Sequence, residues 1–127
     1  MKLNYDCIRD ILLTVESLDR IDSNVYLDDY KKYKLLEKYS NDEIQYHSIK
    51  LIQEEYVQGL KISGSNITNA IFMDDLTWKG HELLNDIRSE SVFKETKTKV
   101  INSIGTVSLS IFQQLAVDIA MKTLGLK

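Results

Sequence analysis

Proline is missing altogether from the 127 residues. That removes the rigid linkers and kinked helices that proline makes. It fits a helix-rich domain without selecting a function. Cysteine occurs once, at Cys7, which excludes an internal disulfide. Cys7 falls within an apolar helical pattern, so it reads as a small buried hydrophobe rather than a reactive thiol. Histidine occurs twice, at His47 and His81. The two belong to different predicted helices, with no further Cys or His to complete a zinc ligand set. No metal site is expected, and a hydrogen-bonded, partly buried imidazole bridging helices is the ordinary role.

Long apolar runs are absent too. No segment reaches the ~18–20 apolar residues that span a bilayer. Charged and polar residues interrupt every apolar run near the N-terminus, unlike a signal peptide. A cytoplasmic protein without membrane contact is expected. Positive charge is also short: 16 Lys and Arg against 19 Asp and Glu give a net charge of -3 and a pI of about 5.4. Non-specific nucleic-acid binding draws on Lys and Arg, so the balance argues mildly against it while allowing a local basic face. Neither a glycine-rich phosphate loop nor a Ser/His/Asp arrangement occurs. The acidic pairs Asp28-Asp29, Glu54-Glu55 and Asp74-Asp75 are sequence neighbours, which do not face each other on a helix. No enzyme, cofactor or small-molecule substrate is expected.

What is present is organised around the stretch from Ser40 to Leu60. Ser40 is the expected N-cap, with Glu43 three residues on completing a capping box. Asp42 and Glu43 also suit the positive end of the helix dipole. Ile44, Leu51 and Ile52 form a narrow apolar stripe. After Glu55 the period changes. Tyr56, Val57 and Leu60 favour extended structure, and Gly59 permits a bulge or tight bend. Residues 56–62 and 69–74 should pair as a hairpin, with turn chemistry over 63–69.

The remaining elements read as helices. Residues 3–18 carry Cys7, Ile8, Ile11, Leu12 and Val15 at helical spacing, with Asn4 as N-cap and Arg9, Asp10 and Glu16 outward. A short second helix is expected near 28–38, with Tyr30, Tyr33 and Leu36 inward. Thr77 caps a helix whose buried stripe is Leu83, Leu84 and Ile87, with Trp78 packing near its start. Gly80 costs about 1 kcal/mol relative to alanine there, and a close approach to a neighbouring helix would explain it. Residues 91–102 place Val92, Phe93, Val100 and Ile101 inward, and Gly105 ends that helix. Residues 107–124 form the most apolar helix, which Gly125 ends. Its apolar arc is wide enough to suggest burial on more than one side.

MKLNYDCIRDILLTVE, YSNDEIQYHSIKLI and LTWKGHELLNDIRSESVFKETK together resemble a family of small bacterial and phage proteins defined as a domain of unknown function. The likeness runs from residue 1 to about residue 126. Its most specific pieces are Tyr46-His47, Leu76-Thr77-Trp78 and Gly80-His81-Glu82. The resemblance implies a mostly helical α+β fold, a winged-helix core over residues 1–90 with a C-terminal helical extension over 91–127, all within one domain. It also implies a phage or mobile-element origin, and it carries no established site residues.

A winged helix is expected to bind DNA through its third helix. Here that helix has Asp42, Glu43, Glu54 and Glu55 against Lys50 alone. The expected function is therefore a non-enzymatic interaction module that binds a protein partner or itself. The alternative is a DNA-binding regulator using Lys31, Lys32, Lys34, Lys38, Gln45, Lys50 and Lys61, with Arg88, Lys94, Lys97 and Lys99 as a second basic group. Self-association would use the terminal helix through Leu109, Phe112, Leu115 and Ile119, because a two-fold dimer buries an apolar face that one core leaves open.

Overall fold

Asn4 stands in extended geometry, and its side-chain oxygen accepts the Cys7 N–H at 3.1 Å. That cap starts α1 (Tyr5–Glu16), whose apolar stripe of Cys7, Ile8, Ile11, Leu12 and Val15 is buried as its spacing predicts. The computed structural model describes residues 1–18, 25–26, 32–64 and 67–126. These form β1 (Val25–Tyr26), a 3-10 turn at Lys34–Leu36, α2 (Asn41–Gln53), β2 (Val57–Gly64), β3 (Ile67–Leu76), α3 (Trp78–Ile87), α4 (Glu90–Ser103) and α5 (Leu109–Thr123). The architecture is mostly helical α+β, with a small antiparallel sheet in the order β1-β3-β2. Two compact units divide the chain, Met1–His81 and Glu82–Lys127, and the division falls within α3.

In the first unit, α1 packs on α2, on β3 and on the 3-10 turn. Ser40 caps α2, its hydroxyl accepting the Glu43 N–H at 3.1 Å. β2 and β3 pair as the expected hairpin, with a register shift at Gln58/Gly59 where a bulge was read from the sequence. The strands run further than expected, to Gly64 and from Ile67, so they take up most of the anticipated loop. Inward Ile71 and Met73 alternate with the less buried Ala70 and Phe72. β1 was not anticipated: it pairs with β3 through Val25↔Met73 and Tyr26↔Phe72.

The expected second helix is corrected. Its residues 28–31, with Tyr30 and Lys31, lie outside the described residues. The described remainder forms only the 3-10 turn, entered from an extended Tyr33 (φ -92, ψ 110). One residue explains the change: Leu36 is fully buried, and a short turn is enough to insert it. Asp10 is also corrected, from outward to buried. Lys38 and Tyr39, just after the turn, reach over it. Tyr39 Oη donates to Asp10 Oδ2 at 2.6 Å, and Lys38 Nζ lies 3.0 Å from the same oxygen. The Tyr39 hydroxyl is consequently pushed well above its usual range, by burial first and by the Asp10 hydrogen bond second.

In the second unit, α4 and α5 pack on one another, with the Phe93 and Phe112 rings tilted at 56° and 5.7 Å between centroids. Gln113 Nε2 donates to Asp86 Oδ2 at 2.7 Å. Val92, Phe93 and Val100 are buried, but Ile101 is 54% exposed and not inward as expected. At ~100° per residue, Ile101 falls well outside the arc that Val92, Thr96 and Val100 share. Thr96 fills the inner position instead, satisfying its hydroxyl on the Val92 carbonyl at 2.7 Å.

Candidate functional site

Helix α2 ends without glycine. Glu55 holds a left-handed backbone (φ 63). The Tyr56 N–H reaches the Leu51 carbonyl at 2.9 Å and the Glu55 N–H reaches that of Ile52 at 3.1 Å. This is the pair of bonds that closes a helix when its first outside residue turns left-handed. Helices α4 and α5 place Gly105 and Gly125 at positive φ just beyond their ends, and glycine adopts that conformation without a Cβ penalty. Among the described residues, Glu55 alone does so with a side chain.

The start of α3 is tied to this junction. Thr77 Oγ1 donates to the Glu55 carbonyl at 2.6 Å and lies 3.1 Å from that of Tyr56, and it accepts the Gly80 N–H at 3.0 Å. Lys79 Nζ donates to the Glu54 carbonyl at 3.0 Å and sits 4.2 Å from the centre of the Tyr56 ring. Its charge therefore serves the negative end of α2. A Cβ on Gly80 would stand 2.0 Å from the Tyr56 carbonyl oxygen. The expected close approach is real, but the neighbour is the backbone of the α2–β2 junction, not a helix.

Trp78 lies between Thr77 and Lys79 and is 78% exposed, the opposite of the packing expected for it. The reason is angular. At ~100° per residue, Trp78 sits roughly 120–180° from Leu83, Leu84 and Ile87, so the stripe that buries them turns it outward. The spacing thus places Trp78 outward, against the general tendency of tryptophan to be buried.

Trp78 borders an open groove of ≈ 540 Å³ whose walls include Ile52, Glu55, Val57 and Gly59. A second hollow of ≈ 430 Å³ shares Gln58 and Gly59 with it and adds Leu60, Phe72 and Asp74. Leu60 is 58% exposed. The two hollows adjoin at Gln58 and Gly59, with Ile52, Leu60 and Phe72 among their apolar lining. Among the described residues, no ion pair takes up the carboxylates of Glu55 or Asp74.

The basic candidates do not gather there. Lys31 lies outside the described residues. Lys32 and Lys34 are exposed beside the 3-10 turn, Lys32 over the Tyr33 ring. Lys38 is engaged by Asp10. Lys50 is exposed and sits over the Tyr46 ring, Gln45 is half-buried, and Lys61 is exposed on β2. In the second unit, Arg88 Nη2 donates to Asn85, Lys94 pairs with Glu90, Lys97 lies over the Phe93 ring and Lys99 is exposed. On α5, Phe112, Ala116 and Ile119 are buried, while Leu109 and Leu115 are half-buried.

His47 and Cys7 are engaged in the packing of α1 on α2. His47 is buried and bridges α2 to the start of α1, with the Asn4 N–H on Nε2 at 2.9 Å and the Glu43 carbonyl 2.8 Å from Nδ1. His81 is half-buried on α3, away from it in sequence and element. Cys7 is fully buried, and burial first, then the charges of Glu43, Asp10 and Asp6, push its thiol up to about 12. Among the described residues, no helix is long and apolar enough to cross a membrane.

A family model described as "Hypothetical protein (DUF2513)" matches residues 2–107. A Haemophilus influenzae protein described as "Uncharacterized protein" is 31% identical over 125 residues, covering 98% of this chain and 99% of its own length. No solved structure gives a significant match.

Proposed function

The chain belongs to the DUF2513 family, and for it we propose a non-enzymatic winged-helix interaction module, of phage or mobile-element origin, that binds a protein partner or itself. The winged-helix reading draws its support from the order of elements in the first unit: helix, strand, short helical turn, helix, hairpin. The sheet order β1-β3-β2 fits it, since the early strand of a winged helix joins the wing. The phage origin rests on sequence likeness alone. A non-enzymatic role is favoured by the structural commitment of His47 and Cys7, whose ring nitrogens and thiol already serve the fold.

One observation favours a protein partner over DNA. In a winged helix, α2 would enter the major groove. Its exposed charged residues, with those just after it, are Asp42, Glu54 and Glu55 against Lys50. Carboxylates facing phosphates repel them, and the affinity of DNA-binding modules rests on cations at those places. The second reading, a DNA-binding regulator, is favoured by the exposure of Lys32, Lys34 and Lys61. Mobility-shift titration with duplex DNA over a range of salt decides between them. The proposal expects only weak, salt-sensitive retardation with no sequence preference. Sub-micromolar binding to one preferred sequence near physiological salt, lost on replacing Gln45 or Lys50, would promote the second reading.

A further inference from the structure

We propose that the surface between Trp78 and Leu60 is the docking site for a cationic, apolar segment of a protein partner, with an arginine or lysine of that segment stacked on the Trp78 indole beside Glu55. The inference rests on the protein-partner reading and names where and what that partner presents. Leu76, Thr77 and Gly80 around Trp78 each have a task inside the fold: Leu76 is buried, Thr77 ties α3 to the α2–β2 junction, and Gly80 allows the contact with the Tyr56 carbonyl. Trp78 has no such task. A tryptophan exposed at the edge of an apolar groove is the side chain most enriched at the centres of protein interfaces.

The charges select the occupant. The rim carries Glu55 from the end of α2 and Asp74 from β3. Among the described residues, the one base lining the groove is Lys79, whose ammonium is drawn onto the Glu54 carbonyl and over the Tyr56 ring. The accessible apolar side chains of Ile52 and Leu60 ask for aliphatic or aromatic groups. An indole face attracts a cation, and a nearby carboxylate adds to the attraction. An anionic lipid surface or a phosphate backbone meets the wrong sign on the same rim. Glu55 strengthens the assignment: a carboxylate stands where glycine would suit the backbone better.

The test is selection of short peptides from a random displayed library against the full-length chain, followed by affinity measurement of the enriched peptides. The expected winners combine Arg or Lys with a large apolar residue. Trp78→Ala should weaken their binding about tenfold, the loss of one desolvated cation–aromatic contact, and Glu55→Gly should weaken it roughly two- to fivefold through the lost carboxylate. Trp78 is exposed enough for the fold to survive its removal. Glu55→Gly should raise the thermal midpoint while lowering affinity, a split that a purely structural role would not produce. Enrichment of acidic peptides, failure to enrich any peptide, or competition for the groove by duplex DNA or phosphatidylserine vesicles would overturn the proposal. Peptides bound equally by wild type, Trp78→Ala and Glu55→Gly would overturn this site and leave the protein-partner reading standing. Sequence-preferring DNA binding without any peptide binding would remove that reading itself.

Discussion

The backbone N–H of Asn4 donates to Nε2 of His47 at 2.9 Å. A backbone amide can only donate, so Nε2 is the accepting nitrogen and the ring proton sits on Nδ1. Nδ1 then donates to the Glu43 carbonyl 2.8 Å away. One imidazole thus joins the residue that caps α1 to the first turn of α2. Glu43 adds a second link, its carboxylate accepting from Asn4 Nδ2 at 2.9 Å.

His47→Leu roughly keeps the volume and removes both hydrogen bonds. It leaves the half-buried Asn4 N–H without its acceptor, and an unsatisfied donor shielded from water costs about 1–3 kcal/mol. Urea unfolding should show a loss of roughly 2–3 kcal/mol at unchanged slope, the second polar contact bringing the total to the upper part of that range. A change below about 0.5 kcal/mol, the range of neutral surface substitutions, would show that the bridge contributes nothing.

Gly80→Ala is expected to be severe. The added methyl would stand 2.0 Å from the Tyr56 carbonyl oxygen and 3.0 Å from its carbon. Backbone cannot yield as a flexible side chain does. The helix-propensity gain of about 1 kcal/mol should be outweighed by displacement of α3 from the junction, for a net loss of about 2 kcal/mol or more. Thermal unfolding checks this. A stabilised Gly80→Ala variant would contradict the contact.

Cys7 should be inert in the native chain. Its thiol is pushed from 9.0 up to about 12, and a protonated, buried thiol is a poor nucleophile. At about pH 8, alkylation should run roughly a hundredfold or more slower than in the urea-unfolded chain. The sign for stability follows. The folded state holds the proton more tightly, so stability is level below pH 9.0 and falls as pH rises from there towards about 12. Tyr39, also shifted upward, adds to the fall. Equal native and unfolded alkylation rates would refute the burial.

Much of the frame was readable from residue spacing. The caps at Asn4 and Ser40, the stripe of α1, the change of period at Tyr56 and the bulge at Gly59 are local signals, and local chemistry decides them. What escaped depends on residues distant in sequence. Asp10 lies outside the apolar arc of α1, and only the return of Lys38 and Tyr39 covers it. Leu36 draws its segment into a 3-10 turn through burial, against the helix propensity of its lysine-rich neighbours. β1 is too short to carry a period of its own and exists through its pairing with β3. At the candidate site, Gly80 announced a close approach without its partner. Glu55 gave no warning, because a left-handed non-glycine residue leaves no mark in the sequence. Trp78 did leave one, in its angle from Leu83 and Leu84.

Trp78 is the sole tryptophan of the chain, so its emission reports directly on the proposed binding face. Titrating the full-length protein with an arginine- and leucine-containing peptide, and separately with duplex DNA, tests the central claim. A saturable blue shift is expected with the peptide, abolished when its arginine is replaced by glutamate, and no saturable change with DNA near physiological salt. A saturable shift with DNA and none with the cationic peptide would contradict it.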